Sequence, residues 1–130
     1  MKIYIAGPFF NKEERYILNE MIRYVKEVHP EADLFIPMEH FIPNGETMPN
    51  DEWAKAVFKL DVEALNSADL VYACYNGHYS DTGTAWEIGY AYAKNIPVKL
   101  WIRNTYGDMS IMPMQSAELV RLNRQFYNQK

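Results

Sequence analysis

The chain has 130 residues, of which 48% are hydrophobic and 23% charged, with a formal net charge of -4; this suits one domain with one sizeable core and is too short for two. No run of Lys or Arg supplies an electrostatic footprint for polymeric nucleic acid or an anionic membrane surface, and no stretch approaches the length of a bilayer span. The single cysteine, Cys74, excludes an internal disulfide and a cysteine-based metal site, and its apolar neighbours suggest a core thiol.

Lys2 to Ala6, closed by Gly7-Pro8, reads as a first buried strand, and the apolar part of this start is too short for a secretory signal, so a cytoplasmic location is expected. Asn11 offers an N-cap to an amphipathic helix on which Ile17, Met21, Tyr24 and Val28 recur, and Pro30 stops it after about His29. Leu34 to Pro37 is a second short strand. A loop from Met38 to Asn50 follows, long for so small a domain, and loops of that length are often binding loops or lids. From Asp51 a second helix runs to about Ser67 with Trp53, Val57, Leu60 and Ala64 on its apolar stripe.

Leu70 to Tyr75 is a third apolar strand, Asn76 to Ser80 a turn-rich loop, Thr84 to Lys94 a third helix and Pro97 to Ile102 a fourth strand. After the loop from Arg103 to Pro113, a last helix is expected over Gln115 to Phe126. This βαβαβαβ alternation predicts an α/β, doubly wound, flavodoxin- or Rossmann-like fold: a mainly parallel sheet of four to five strands with flanking helices. Right-handed crossovers would bring the loops after the first three strands to one carboxyl edge, where such sheets bind ligands.

Glu87 is the lone ionisable group in the stretch from Thr82 to Ala93, which otherwise has the composition of a buried helix. Burying an unpaired carboxylate costs several kcal/mol or raises its pKa, so Glu87 is the leading catalytic candidate. Asp81 and Thr82 are placed to cap this helix, and Glu87 follows about one turn later, near the same rim. Gly89 costs helix stability, which close packing against it would explain. An oligomer interface would account for the uncharged flanks equally well. Asp61 lies on a helix with many charges, and spacing alone does not select it. Tyr4 lies within the first strand, facing either core or rim. Aromatic residues make up 15% of the chain, enough for some to line a cleft for a flat ligand. Walker and dinucleotide glycine patterns, metal-ligand spacing among His29, His40 and His78, and an acyl-transfer serine elbow are all lacking. Carboxylate and tyrosine chemistry remain, with no cofactor.

The ordered set Lys2 to Phe10, Phe58-Lys59-Leu60-Asp61 through Ala68-Asp69, Asp81 to Ala91, and Pro97-Val98 resembles the nucleoside 2-deoxyribosyltransferase family. The resemblance implies that Glu87 attacks the anomeric carbon of a 2'-deoxynucleoside and forms a deoxyribosyl ester, from which a second base takes the sugar, a role in nucleoside salvage. Tyr4 would hold the carboxylate, Asp61 and Asp81 would lie against base and sugar, and one of the two would assist protonation of the base. Phe10 would pack on the base. The partners implied are 2'-deoxynucleosides and free nucleobases. A homo-oligomer, a dimer or a trimer of dimers, would complete each site from a neighbouring subunit, here through Ser110 and Met112 with Asn104 as a substitute amide.

Two departures stand out. Where family members often carry a base-reading Gln after the second strand, this chain has Phe41 with His40 beside it. The hydrolases related to the family carry a Gly- and Arg-rich phosphate loop after the first strand, whereas this chain has Gly7-Pro8-Phe9-Phe10. An N-glycoside hydrolase of deoxynucleosides or their monophosphates, and a non-catalytic nucleoside-binding domain on the same fold, are the alternatives.

Overall fold

The computed structural model describes residues 1–77, 81–103 and 109–121. Five parallel strands, β1 (Lys2–Ala6), β2 (Asp33–Phe35), β3 (Leu70–Cys74), β4 (Val98–Trp101) and β5 (Glu118–Arg121), form one sheet in the order β2-β1-β3-β4-β5. This is the flavodoxin-like order, whose topological switch point lies between β1 and β3. The sequence-derived fold class therefore holds.

Each strand alternates between two cores. Ile3, Ile5, Tyr72 and Cys74 point to α1 (Lys12–Val28), where they meet Ile17, Leu18, Met21, Ile22 and Val25. Tyr4, Ala6, Val71, Ala73, Val98 and Leu100 point to the other face, where they pack with Leu65 of α2 (Asn50–Ser67) and with Ile88 and Ala91 of α3 (Thr82–Ala93). Cys74 is the expected core thiol, with its Sγ donating to the Met21 Sδ at 3.6 Å. No helix among the described residues is long and apolar enough to cross a membrane.

Local chemistry sets the boundaries. Asn11 accepts from the Glu14 backbone N–H at 2.8 Å while the Glu14 carboxylate accepts from the Phe10 N–H, also at 2.8 Å, a reciprocal cap that starts α1. His29 closes that helix and hydrogen-bonds Tyr72 at 3.0 Å. Gly7 is required where β1 ends, because a Cβ there would lie 3.0 Å from Leu18 and 3.1 Å from Cys74. Asp69 plays a structural part. It accepts from the Lys2 N–H and donates its own N–H to the Lys2 carbonyl, each at 2.8 Å, which seats β1 beside the start of β3.

Three expectations need correction. The last helix does not run from Gln115: a short α4 (Ile111–Gln115) precedes β5, and residues 122–130 lie outside the described residues. Leu119 and Val120 fit either a helical or a strand spacing, and parallel pairing with β4 decides for the strand. Nor is α3 buried all round, since Trp86 and Tyr92 are 48% and 62% exposed. Finally, nothing lies within 4 Å of a Cβ built on Gly89, so close packing within the chain does not explain that glycine.

Candidate active site

The carboxyl edge opens into a cleft of about 1350 Å³ bordered by the loop after β1, the loop after β2, α2 and the start of α3. Glu87, Asp61, Asp81, Phe10, His40 and Phe41 all line it. Six residues expected from four separate segments thus share one cavity.

Asp81 is the N-cap of α3, accepting from the Thr84 backbone N–H at 3.2 Å, with the Thr84 hydroxyl 3.4 Å from the same oxygen. Thr82 opens the helix rather than capping it. Gly83 has no side chain to spare: a Cβ there would come within 2.9 Å of the Asp81 carboxylate. Glu87 projects one turn further along, on the side of α3 that faces β1. Tyr4 settles its own facing there, because its phenol donates to Glu87 Oε2 from a fully buried ring.

The electrostatics follow from that burial. Desolvation pushes the Glu87 carboxyl up to about 7 from an ordinary 4.5; the hydrogen bond from Tyr4 pulls it down, and the charges of Asp61 and Asp81 push it up further. Burial, followed by the charge of Glu87, raises the Tyr4 phenol well above its ordinary range, so Tyr4 remains a donor across the whole working pH range. Burial also raises Asp61, while the charge of His40 lowers it. The site therefore holds a carboxylate poised to ionise near neutrality, a phenol donor beside it, and a second carboxyl that burial shifts upward.

Aromatic rings build the walls. Phe35 stacks on Tyr4 with centroids 5.4 Å apart, and His40 stacks on Phe35 at 4.2 Å. Phe10 stacks on Phe9 at 5.7 Å yet stays 71% exposed, and Phe41 is 87% exposed, so both present faces to whatever enters. Phe35 was missed by sequence reasoning, which placed it only in a short strand. Trp53, Phe58 and Trp86 also line the cleft. Phe58 meets Trp86 edge-on at 5.6 Å, and Trp86 stacks on Tyr90 at 5.2 Å. The helical stripe containing Trp53 suggested a buried residue, and no local signal distinguishes a stripe facing a core from one facing a cleft.

Ser110 and Met112 are not brought to this cleft in their own chain. The Ser110 N–H donates to the Tyr75 hydroxyl at 2.8 Å, and Met112 is 75% exposed. Asn104 and His78 lie outside the described residues.

Comparison with known proteins identifies the family. The family model described as nucleoside 2-deoxyribosyltransferase matches residues 3–118. The chain belongs to the nucleoside 2-deoxyribosyltransferase family. A solved structure of a 2-deoxyribosyltransferase from the psychrotolerant bacterium Bacillus psychrosaccharolyticus is 31% identical, with a TM-score of 0.81 over 98% of this chain and 91% of that one. A nucleoside deoxyribosyltransferase from Limosilactobacillus fermentum is 27% identical over 107 residues, 76% of this chain, and the chain spans 63% of the length of that curated relative. A CMP N-glycosidase from Clostridium botulinum shares the fold, with a TM-score of 0.63 at 17% identity over 99% of this chain and 96% of that one.

Proposed function

We propose that the whole chain, residues 1–130, is one deoxyribosyltransferase domain that moves the 2-deoxyribosyl group of a 2'-deoxynucleoside to a second nucleobase through an ester on Glu87. The observation that carries this reading is the Tyr4–Glu87 hydrogen bond at the floor of an aromatic cleft. A Glu87 oxygen attacks C1', the C1'–N bond breaks and its electron pair leaves on the base nitrogen, which takes up a proton. The incoming base then attacks C1', loses its N–H proton, and returns Glu87 to the carboxylate. Two inversions retain the configuration, as in retaining glycoside transfer.

Each residue has a part in that sequence. Tyr4, held protonated, orients the carboxylate and stabilises its charged form. Asp81 holds a sugar hydroxyl, and Asp61, with its raised pKa, supports the proton that the base requires. Phe10 and Phe41 pack on the base. The described residues lining the cleft include no Lys or Arg, which favours a free 5'-hydroxyl over a 5'-phosphate. Exposed Ile111 and Met112, 74% and 75% accessible and away from their own cleft, support a homo-oligomer in which a neighbouring subunit supplies this segment to the site and helps exclude water.

The test is base exchange. A 2'-deoxynucleoside incubated with a different free base is expected to yield the new deoxynucleoside, with ping-pong kinetics, and Glu87→Ala to abolish it while folding is retained. Base release that ignores the acceptor and forms no new nucleoside would make the protein a hydrolase; a fully active Glu87→Ala variant would remove Glu87 from the chemistry.

A further inference from the structure

The phenol of Tyr4 meets Glu87 in only one orientation of its ring, and β1 fixes no more than the face of the sheet from which that ring projects. Its flank is set by β2. Tyr4 and Phe35 are direct partners in the parallel register, so both side chains leave the sheet on the same face, and their rings lie parallel with centroids 5.4 Å apart at 12°. β2 is the edge strand and ends at Phe35, so no further strand flanks that ring. The chain supplies the cover itself. A single 3-10 turn (Pro37–Glu39) folds it back, with the His40 N–H donating to the Pro37 carbonyl at 3.1 Å, and lays the His40 ring on Phe35 at 4.2 Å and 14°.

The opposite helix does not clamp this stack. A cavity of about 400 Å³ is bordered by Tyr4, Phe35 and His40 and, from α2, by Leu60, Ala64 and Ser67. The short side chains of Ala64 and Ser67 leave that space unfilled. In a core of ordinary density a buried tyrosine is held by neighbours on every side; here parallel rings take their place on one of them.

We propose that Phe35 is a positioning residue: clamped between Tyr4 and His40, it keeps the Tyr4 phenol on Glu87 and out of the neighbouring cavity. This rests on the deoxyribosyl-transfer reading, in which Glu87 attacks the sugar, and deepens it. Phe35 borders the smaller cavity and is absent from the cleft lining, so its effect passes through Tyr4. A ring stack does not depend on the charge of Glu87. It therefore holds the phenol equally while that carboxyl is protonated, ionised or esterified. The ionisable groups that face Glu87 are Tyr4 of β1, Asp61 of α2 and Asp81 at the head of α3, with Glu46 and His40 of the loop after β2 lining the same cleft. Of these, Tyr4 is the donor, and its bond holds the carboxyl down against the rise that burial imposes.

The experiment titrates Glu87 by NMR of isotope-labelled glutamate and, in parallel, measures base release from 2'-deoxyadenosine. Phe35→Leu removes the ring and keeps apolar bulk, Tyr4→Phe removes the hydroxyl and keeps the stack, and Phe35→Tyr keeps a ring. Phe35→Leu is expected to raise the Glu87 midpoint by roughly 0.4–1 pH unit, the worth of one stacked pair, and to lower kcat/KM for base release at neutral pH by roughly two- to tenfold. Phe35→Tyr is expected to rescue both. In the Tyr4→Phe background, Phe35→Leu is expected to change neither further, because the group it positions has gone. Phe35→Ile, suited to a strand, supplies the same comparison where Phe35→Leu does not fold. The proposal is overturned if the midpoint stays or falls when the ring is removed, or if the losses from Phe35→Leu and Tyr4→Phe multiply, as they would for a residue that only supports the fold. The titration needs no turnover, so it decides the role of Phe35 even where the wild type releases base and forms no new deoxynucleoside, the result by which the transfer reading alone fails.

Discussion

The two long helices, on opposite faces of the sheet, are nearly equal in length and are used differently. Of its 17 residues, α1 buries Ile17, Leu18, Met21, Ile22 and Val25 against the strands, whereas the 18-residue α2 buries only Leu65. The difference follows the cleft. The face of α2 that could have sealed a second core instead lends Trp53, Val57, Phe58, Leu60 and Asp61 to the cleft. Stability is concentrated on the α1 side, and the α2–α3 side gives up packing in order to hold a space and a buried carboxylate. Such a division is common where a site requires an arrangement that the fold alone would not favour.

Substitutions can break that comparison. The largest effect is expected on the α1 side: Met21→Ala removes a fully buried side chain in contact with Cys74 and should cost about 2–5 kcal/mol in urea unfolding. Transfer per folded molecule should be unchanged. A loss of turnover without loss of stability would show that the two sides are not separable.

On the other side, Tyr4→Phe removes the donor that lowers the Glu87 pKa. The carboxyl should then titrate above its present value of about 7, so the rise of kcat/KM with pH moves to higher pH. Loss of a hydrogen bond to a charged group, worth about 1.5–3 kcal/mol, corresponds to roughly a 10- to 150-fold drop at neutral pH. An unchanged pH profile would detach Tyr4 from the titration of Glu87.

Much of this was legible in the sequence, for local reasons. Asn11 with Glu14, and Pro30, mark the ends of α1; Asp81 and the start of α3 place Glu87 one turn in; and the apolar strands declare a parallel sheet. What was hidden depended on contacts between distant segments. Phe35 becomes part of the site only because β2 pairs with β1 and His40 folds back on it. The uncharged flanks of Glu87 suggested burial, yet Trp86 and Tyr92 are exposed, since composition cannot distinguish a face turned to the core from one kept apolar for another surface. β5 eluded the pattern because a four-residue strand with two central apolar residues has no period of its own.

A smaller effect tests the cost of holding Glu87. Its folded pKa of about 7 exceeds the ordinary 4.5, so its contribution to stability is complete below about 4.5 and lost as pH rises through about 7. Glu87→Gln does not titrate, so it should match the wild type near pH 4 and exceed it by about 3 kcal/mol near pH 8 in thermal or urea unfolding. Equal stability at both pH values would mean that the carboxylate is not held at a cost.

The smallest effect concerns the outer face of α3. With no neighbour within 4 Å of its Cβ position, Gly89→Ala should stabilise the isolated subunit by about 0.5–1 kcal/mol. If it instead weakens self-association, measured by sedimentation as a function of concentration, that face is occupied by a second copy.

The most direct measurement is the mass of the peptide containing Glu87, taken after rapid acid quench of the protein mixed with 2'-deoxyadenosine and no acceptor base. It should increase by one 2-deoxyribosyl group located on Glu87, and the adduct should disappear when a free base is added before the quench. An adduct on another residue, or base release with no adduct at any time, would contradict the assignment of Glu87 as the group that carries the sugar.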